Sequence, residues 1–178
     1  MLLMALLYAI VAFVQVFFYK GYNMWKKIAL GSLALWLITI SVGGYFFVNG
    51  TAKTGDDGRL AVSLHREERN LVLAEMRQLL AGVQTILEAL TTNDLKVVER
   101  TASSLGMKAA ADVNPVLMAK LPLEFKSTGM GVHGRFDEIA LKVHSGQMNK
   151  DQVLQEVSDI MLTCVGCHQA YRLDEISN

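Results

Sequence analysis

The first part of this 178-residue chain contains no acidic residue, because all 17 Asp and Glu residues lie from Asp56 onward. Within that part, Leu2 to Tyr19 and Ile28 to Val48 are two uncharged, mostly apolar runs of roughly 18–21 residues, and a helix needs about 20 such residues to cross a membrane. The pattern therefore predicts two transmembrane helices within residues 1–48.

The alternatives for these runs are a buried helix of a soluble protein, a signal peptide, or one anchor preceded by a re-entrant segment. A signal peptide opens with positive residues, whereas the first Lys or Arg here is Lys20. Lys20, Lys26 and Lys27 lie between the two runs, and positively charged loops stay in the cytoplasm. We therefore expect a bacterial inner membrane, with everything after Val48 on its periplasmic side.

The remainder of the chain is predicted to be a flexible glycine-rich linker over residues 49–58 and a helical domain over residues 59–178. Apolar residues recur with a period near 3.6 from Leu60 onward. Turn and capping residues divide this region into four helices, which begin near Leu60, Asp94, Pro122 and Asn149. The second should end at Asp112 and the third near Ser145 and Gly146. Short connections predict an antiparallel four-helix bundle, and no sustained alternation predicts a strand.

Charge and cysteine content exclude several classes of protein. The formal net charge is zero and no basic stripe is present, so nucleic-acid binding is not expected. Cys164 and Cys167 are the only cysteines, which excludes a scaffold of several disulfides. No acid–base pair around a substrate site is recognisable, so an enzyme is the less favoured class.

The segment Cys164-Val165-Gly166-Cys167-His168 has the spacing of a c-type haem attachment site. On a helix its two thiols and its imidazole project from one face. The thiols can form thioether bonds to the haem vinyl groups, and His168 can then bind the iron. A zinc site would need four ligands, and a thioredoxin-like site would need a βαβ setting. The motif therefore predicts one covalent haem c.

The stretch from Cys164 to Arg172, near the end of a helical chain, resembles the cytochrome c′ family. The resemblance covers roughly Glu67 to Arg172 and is specific only at the motif. Elsewhere it rests on the pattern of Arg69, Leu73 and Met76, and on Phe136 and Ile139. It implies a four-helix bundle with the haem on the last helix. It does not extend to the membrane part, which is unusual for this family.

The resemblance also implies roles for individual residues. Arg172, one turn after His168, would lie on the proximal side of the haem, and Arg69 near its edge. Leu73 matches the distal position that methionine fills in low-spin members, so the iron is expected to be five-coordinate. Met76, about 4.5 Å further along the helix, is the less favoured sixth ligand. His133, between Gly131 and Gly134, is the best spare ligand or proton-carrying group.

Two functions follow from these expectations. The first is a membrane-tethered haem protein that binds small diatomic gases such as NO or CO, exchanges electrons, or does both. The second is an accessory electron-transfer or structural subunit of a larger membrane redox complex, which a second membrane span would favour. Membrane lipid and either other redox subunits or a second copy of the chain are the expected partners.

Overall fold

The structure is a computed structural model that describes Tyr8, Val11, Ala12, Gln15, and residues 24–111 and 113–176. Most of the first predicted span, Leu2 to Tyr19, therefore lies outside the described residues. The chain divides into two compact units, Met1–Tyr45 and Phe46–Asn178. Six helices and three short strands lie within the described residues, so the described part is mostly helical, as predicted.

Helix α1 (Met24–Asn49) contains the second predicted apolar run and confirms that it is helical. It has 26 residues, about 39 Å of helix, and none of them is buried. The hydroxyl groups of Thr39 and Ser41 donate to carbonyls four residues earlier, at 2.9 and 2.8 Å, so they are satisfied within the helix. Helix α1 is long and apolar enough to be a membrane span or a signal sequence.

Five helices follow in the second unit: α2 (Arg66–Thr91), α3 (Leu95–Leu105), α4 (Pro115–Lys120), α5 (Leu123–His144) and α6 (Lys150–Ala170). Two predicted helix starts are confirmed by their caps. The Asp94 carboxylate accepts from the backbone N–H of Val97 at 3.1 Å. Asn149 accepts from the N–H of Gln152 at 3.0 Å, and the Gln152 amide oxygen accepts from the Asn149 N–H at 2.9 Å.

Helices α2, α3, α5 and α6 share one hydrophobic core, which we name the helical core. Its largest fully buried side chain is Phe136 on α5. Val153, Val157 and Ile160 are buried in this core from α6, and Val98 and Leu105 fill it from α3. The helical core contains Val83, Ile86, Ala89, Val98, Ala102, Leu105, Val132, Phe136, Ile139, Ala140, Val143, Met148, Val153, Val157 and Ile160.

Three short strands form a sheet that the sequence analysis did not predict: β1 (Ala52–Thr54), β2 (Leu60–Leu64) and β3 (Tyr171–Glu175). Strand β2 lies in the middle, antiparallel to β1 and parallel to β3. The predictions of a helix from Leu60 and of a flexible linker over 49–58 are therefore wrong. The backbone groups of β2 pair with a strand from the far end of the chain, and local periodicity carries no information about such a partner.

A second group of buried residues lies beside the sheet, and we name it the sheet cluster. It joins strand residues to Val72 of α2, to Phe125 in the first turn of α5, and to Leu117 and Leu121 within and just after α4. The rings of Phe125 and Tyr171 meet edge to face, with centroids 5.3 Å apart. The sheet cluster contains Val62, Leu64, Val72, Leu117, Leu121, Phe125 and Tyr171.

The middle of the chain differs from the prediction in two respects. Helix α3 ends at Leu105 rather than at Asp112. The carboxylate of Asp137 accepts from the N–H of Met107 at 2.9 Å and so takes the place of the next helical turn. The short helix α4 was not predicted, although Asn114 caps it and Pro115 occupies its first turn. The predicted end of α5, near Ser145, is confirmed.

Candidate functional site

The two cysteines lie near the end of α6 and contact different parts of the interior. Both are free thiols and both are half-buried. Cys164 packs against the helical core, whereas Cys167 packs against the sheet cluster. Burial raises the pKa of each thiol, and the neighbouring Cys164 adds to the increase at Cys167. The pair therefore spans the boundary between the two apolar regions.

His168 is the first polar side chain after the thiols and is exposed. Its imidazole has no hydrogen-bond partner among the described residues, so both ring nitrogens are open to a ligand. Its backbone carbonyl, by contrast, accepts a hydrogen bond of 3.2 Å from Nη1 of Arg59. The backbone of His168 is thus fixed by a hydrogen bond, whereas its imidazole makes none with the described residues.

One face of α2 lies alongside the motif. Arg69, Leu73, Met76 and Leu80 follow one another at spacings of three and four residues, which places them on one helix face. At one end of this face, Nε of Arg69 donates to the carbonyl of Leu173 at 3.1 Å. The motif precedes Leu173 closely in the chain, so this contact fixes one end of the site.

At the other end, a groove of about 340 Å³ lies between α2 and α6, where its lining includes Leu80, Leu87 and Met161. Leu73 and Met76 lie between these two contacts on α2, and the Cys164–His168 segment lies between them on the opposing side. Met76 and Cys167 also pack against the same sheet cluster. The structure therefore brings the two segments that the sequence singled out into one region.

Arg172 lies on a strand and not on the helix that carries the motif. Helix α6 ends at Ala170, so Arg172 belongs to β3 and does not share a helix face with His168. Its guanidinium contacts Asp56 and donates to Asp174 at 3.0 Å. These hydrogen bonds, first that to Asp174 and then that to Asp56, raise the pKa of the Arg172 side chain. Arg172 is therefore not one helical turn beyond His168, because pairing with β2 extends the backbone immediately after the motif.

The loop between β1 and β2 also contributes charged groups that the sequence analysis missed. Asp57 accepts from Nε of Arg59 at 2.7 Å and from its backbone N–H at 3.1 Å. The hydrogen bond from the Arg59 side chain is the main reason why the pKa of Asp57 is lowered to about 2. No local pattern points to these residues, because they reach the motif only through the pairing of β2 with β3.

His133 is buried on α5 and hydrogen-bonded at both ring nitrogens. Its Nδ1 lies 2.6 Å from the carbonyl of Leu105, and because a carbonyl only accepts, Nδ1 donates. Its Nε2 lies 3.2 Å from the Glu75 carboxylate, which raises the pKa of His133. His133 lines an apolar cavity of about 80 Å³ to which no motif residue contributes. The hydrogen-bond partners of His133 are therefore Leu105 and Glu75, and neither belongs to the motif.

The residues of the motif fit a haem better than a bare metal ion. Within the described residues, no three His, Cys, Asp or Glu side chains form a group that could hold an ion. A haem iron needs only one or two protein ligands, because the porphyrin supplies the other four. Two free thiols, one imidazole without a partner and the exposed apolar side chains of Met161, Leu162 and Val165 match those needs.

Comparisons with known proteins add no family. No protein-family model matches the chain, and neither a curated protein nor a solved structure matches it at a significant level. The resemblance to the cytochrome c′ family therefore stays a prediction, supported only by the residues and contacts described above.

Proposed function

We propose that this chain is a membrane-anchored c-type cytochrome with one covalently bound haem. Cys164 and Cys167 would form the thioether bonds, and His168 would be the axial ligand of the iron. The observation that carries the proposal is the Cys164–His168 segment on α6, with two free thiols and an imidazole without a partner among the described residues. The adjacent apolar face of α2 supplies a surface against which a porphyrin can pack.

The proposed architecture is two transmembrane helices followed by an antiparallel four-helix bundle of the cytochrome c′ type. In support, α2, α3, α5 and α6 share one core and the motif lies on the last of them. No residue of helix α1 is buried, and an apolar helix of this length without a buried face is stable when lipid surrounds it. The proposed location is the periplasmic face of a bacterial inner membrane.

A bound haem would supply a redox-active iron that can also hold small gases. The side chain of Leu73 cannot bind iron. We therefore infer that His168 is the one protein ligand of the iron and that the distal side is open. An apolar side chain offers no hydrogen bond to bound O₂, which favours NO and CO. Met76 is the nearest thioether on the same face, and its ligation would make the protein a simple electron carrier instead.

The attachment test uses the thiols. Haem should stay with the wild-type polypeptide through denaturation and acid–acetone extraction, and Cys164→Ala or Cys167→Ala should weaken or abolish that retention. Val165→Ala, which changes a residue between the thiols, is the matched control and should keep the haem. Complete extraction from the wild-type chain would reject the proposal.

The topology test uses reporter fusions. A periplasm-dependent reporter fused after Asn178 should be active, and a reporter fused within residues 22–25 should be active only when it functions in the cytoplasm. A cytoplasmic C-terminus would contradict the proposed orientation.

The iron test uses optical spectra of the purified protein in both redox states. The ferrous protein should be high-spin and should bind CO without displacing a ligand. Leu73→Met should shift the iron toward a six-coordinate, low-spin state, whereas Leu71→Met, on a different face of α2, should not. A low-spin wild-type spectrum would instead indicate ligation by Met76.

A second function is an accessory subunit of a larger membrane redox complex. The observation that favours it is again the fully exposed α1, since a partner helix could cover it as well as lipid does. Purification in a mild detergent distinguishes the two functions. A haem-containing species of the mass of one or two chains supports the first, and stoichiometric co-purification of redox subunits supports the second.

A further inference from the structure

Arg59 satisfies backbone groups at the point where α6 ends. The last carbonyls of a helix have no partner within the helix. Nη1 of Arg59 lies 3.2 Å from the carbonyl oxygen of His168 and 3.5 Å from that of Tyr171. The guanidinium is held in this position by the Asp57 carboxylate, which accepts from Nε at 2.7 Å. The loop between β1 and β2 is therefore hydrogen-bonded to the backbone of the proposed iron ligand.

An ion pair joins the same two segments in the opposite direction. Arg172, in β3, contacts Asp56 and lies 3.4 Å from Asp57 through Nη1. Gly55 lies so close to this guanidinium that a Cβ there would come within 3.1 Å of its Cζ atom. Each segment thus contacts the other through an arginine side chain, and the loop packs closely on the junction between α6 and β3.

We propose that this loop positions His168, with Arg59 as the positioning residue and Asp57 as its counter-ion. The inference rests on the proposed role of His168 as an iron ligand. It assigns Arg59 two effects. One is geometric, because the hydrogen bonds restrain the last turn of α6 and so restrain the direction of the imidazole.

The other effect is electrostatic. The carboxyl end of a helix carries a partial negative charge, and Arg59 places a positive charge beside it. Removal of this cation leaves the helix end without a neighbouring positive charge and leaves the Asp57 carboxylate with only the more distant Arg172 guanidinium, 3.4 Å away. Negative charge stabilises the ferric state relative to the ferrous state, so the reduction potential should fall.

The experiment uses the full chain with haem attached, in detergent, as wild type, Arg59→Ala and Arg59→Lys. The matched control is Arg66→Ala, because Arg66 also binds β3 through a carboxylate, Glu175, at 2.8 Å but is not bonded to the His168 backbone. Two quantities are measured: the reduction potential of the haem and the amide hydrogen exchange of residues 168–172.

Arg59→Ala should lower the reduction potential and should speed amide exchange in residues 168–172 by about tenfold, the effect of losing a hydrogen bond to a charged group. Arg59→Lys should restore the potential in large part, since it keeps the charge. It should not restore slow exchange, because an ammonium cannot bridge Asp57 and two carbonyls in the same way. Arg66→Ala should change neither quantity.

An unchanged potential and unchanged exchange in Arg59→Ala would overturn the inference, as would equal shifts in Arg66→Ala. Failure of the proposed function gives a different result, namely a wild-type chain without covalent haem. In that case the exchange of residues 168–172 still tests whether Arg59 restrains the end of α6. If Arg59→Ala yields no holoprotein, loss of slow exchange in Arg59→Lys supports the inference, and unchanged exchange contradicts it.

Discussion

The helical core and the sheet cluster are built from residues that relate differently to the chain. The helical core takes successive turns of α2, α3, α5 and α6, so its members recur at helical spacing within each segment. The sheet cluster combines residues of β2, the N-terminal parts of α2 and α5, the region of α4, and Tyr171 from the far end of the chain. The first region therefore follows from local pattern, whereas the second exists only after distant segments have met.

The motif lies where these two regions join, with Cys164 on the helical core and Cys167 on the sheet cluster. A substitution in either region can therefore reach the site. If the regions differ as their composition indicates, the helical core should govern global stability. The sheet cluster should govern the end of α6 and the residues that follow it.

The largest effect is expected at the centre of the helical core. Phe136→Ala removes a fully buried ring and should lower the free energy of unfolding by about 3–5 kcal/mol. Chemical denaturation of the second unit, Phe46–Asn178, within the whole chain would measure it. Leu141→Ala on the same helix is the control, because Leu141 is exposed and should change stability by less than about 0.5 kcal/mol. Equal losses would show that the core is placed wrongly.

A smaller effect is expected in the sheet cluster. Leu64 is fully buried in β2, and Leu64→Ala should cost about 2–4 kcal/mol. Because β2 pairs with β3, this variant should also speed amide exchange in Tyr171–Glu175 more than Phe136→Ala does, although Phe136→Ala costs more global stability. Uniform acceleration along the chain in both variants would indicate one cooperative region instead of two.

Glycine substitutions test how closely α2 and α3 approach within the helical core. A Cβ on Gly82 would overlap the Leu105 side chain, so Gly82→Ala should destabilise by about 1–3 kcal/mol. A Cβ on Gly131 meets nothing within 4 Å, and Gly131→Ala on α5 should stabilise by about 0.5–1 kcal/mol. The two midpoints of urea unfolding should move in opposite directions, and movement in the same direction would contradict the packing.

The smallest effect concerns pH and the buried His133. The hydrogen bond to Glu75 raises the pKa of His133 above its ordinary value of about 6.5. The stabilisation is therefore complete below that value and is lost as pH rises through the folded-state pKa. The facing groups are Glu75 on α2, Asp137 on α5 and the carbonyl of Leu105; Lys126 lines the same cavity.

Glu75→Gln removes the main cause of this shift while keeping a hydrogen-bond acceptor. The free energy of unfolding of the wild type should fall with rising pH above about 6.5, and the variant should show a shallower slope there. The slopes are compared because the two proteins differ only in the side chain at position 75. Identical slopes would show that Glu75 does not change the protonation of His133 between the folded and unfolded states.

Most of the helical part could be predicted from the sequence, whereas the roles of the motif residues stay predictions. Asp94 and Asn149 were predicted to begin helices and do so, because a cap is a contact within one turn of the chain. The end of α3 was predicted wrongly, since the carboxylate of Asp137 comes from another helix. The strand that contains Arg172 was missed for a related reason, because β2, which extends the backbone there, is far away in the chain.

The amino-acid sequence alone established the apolar helix α1, the helical segments and the pattern of two thiols and one imidazole. These features depend on spacing within a few turns, and the 3.6-residue period expresses that spacing directly. The folded structure established the sheet, the face of α2 that lies alongside the motif, and the hydrogen bond from Arg59 to the His168 backbone. Those contacts join residues far apart in the chain, so they depend on which surfaces pack together and not on any local repeat.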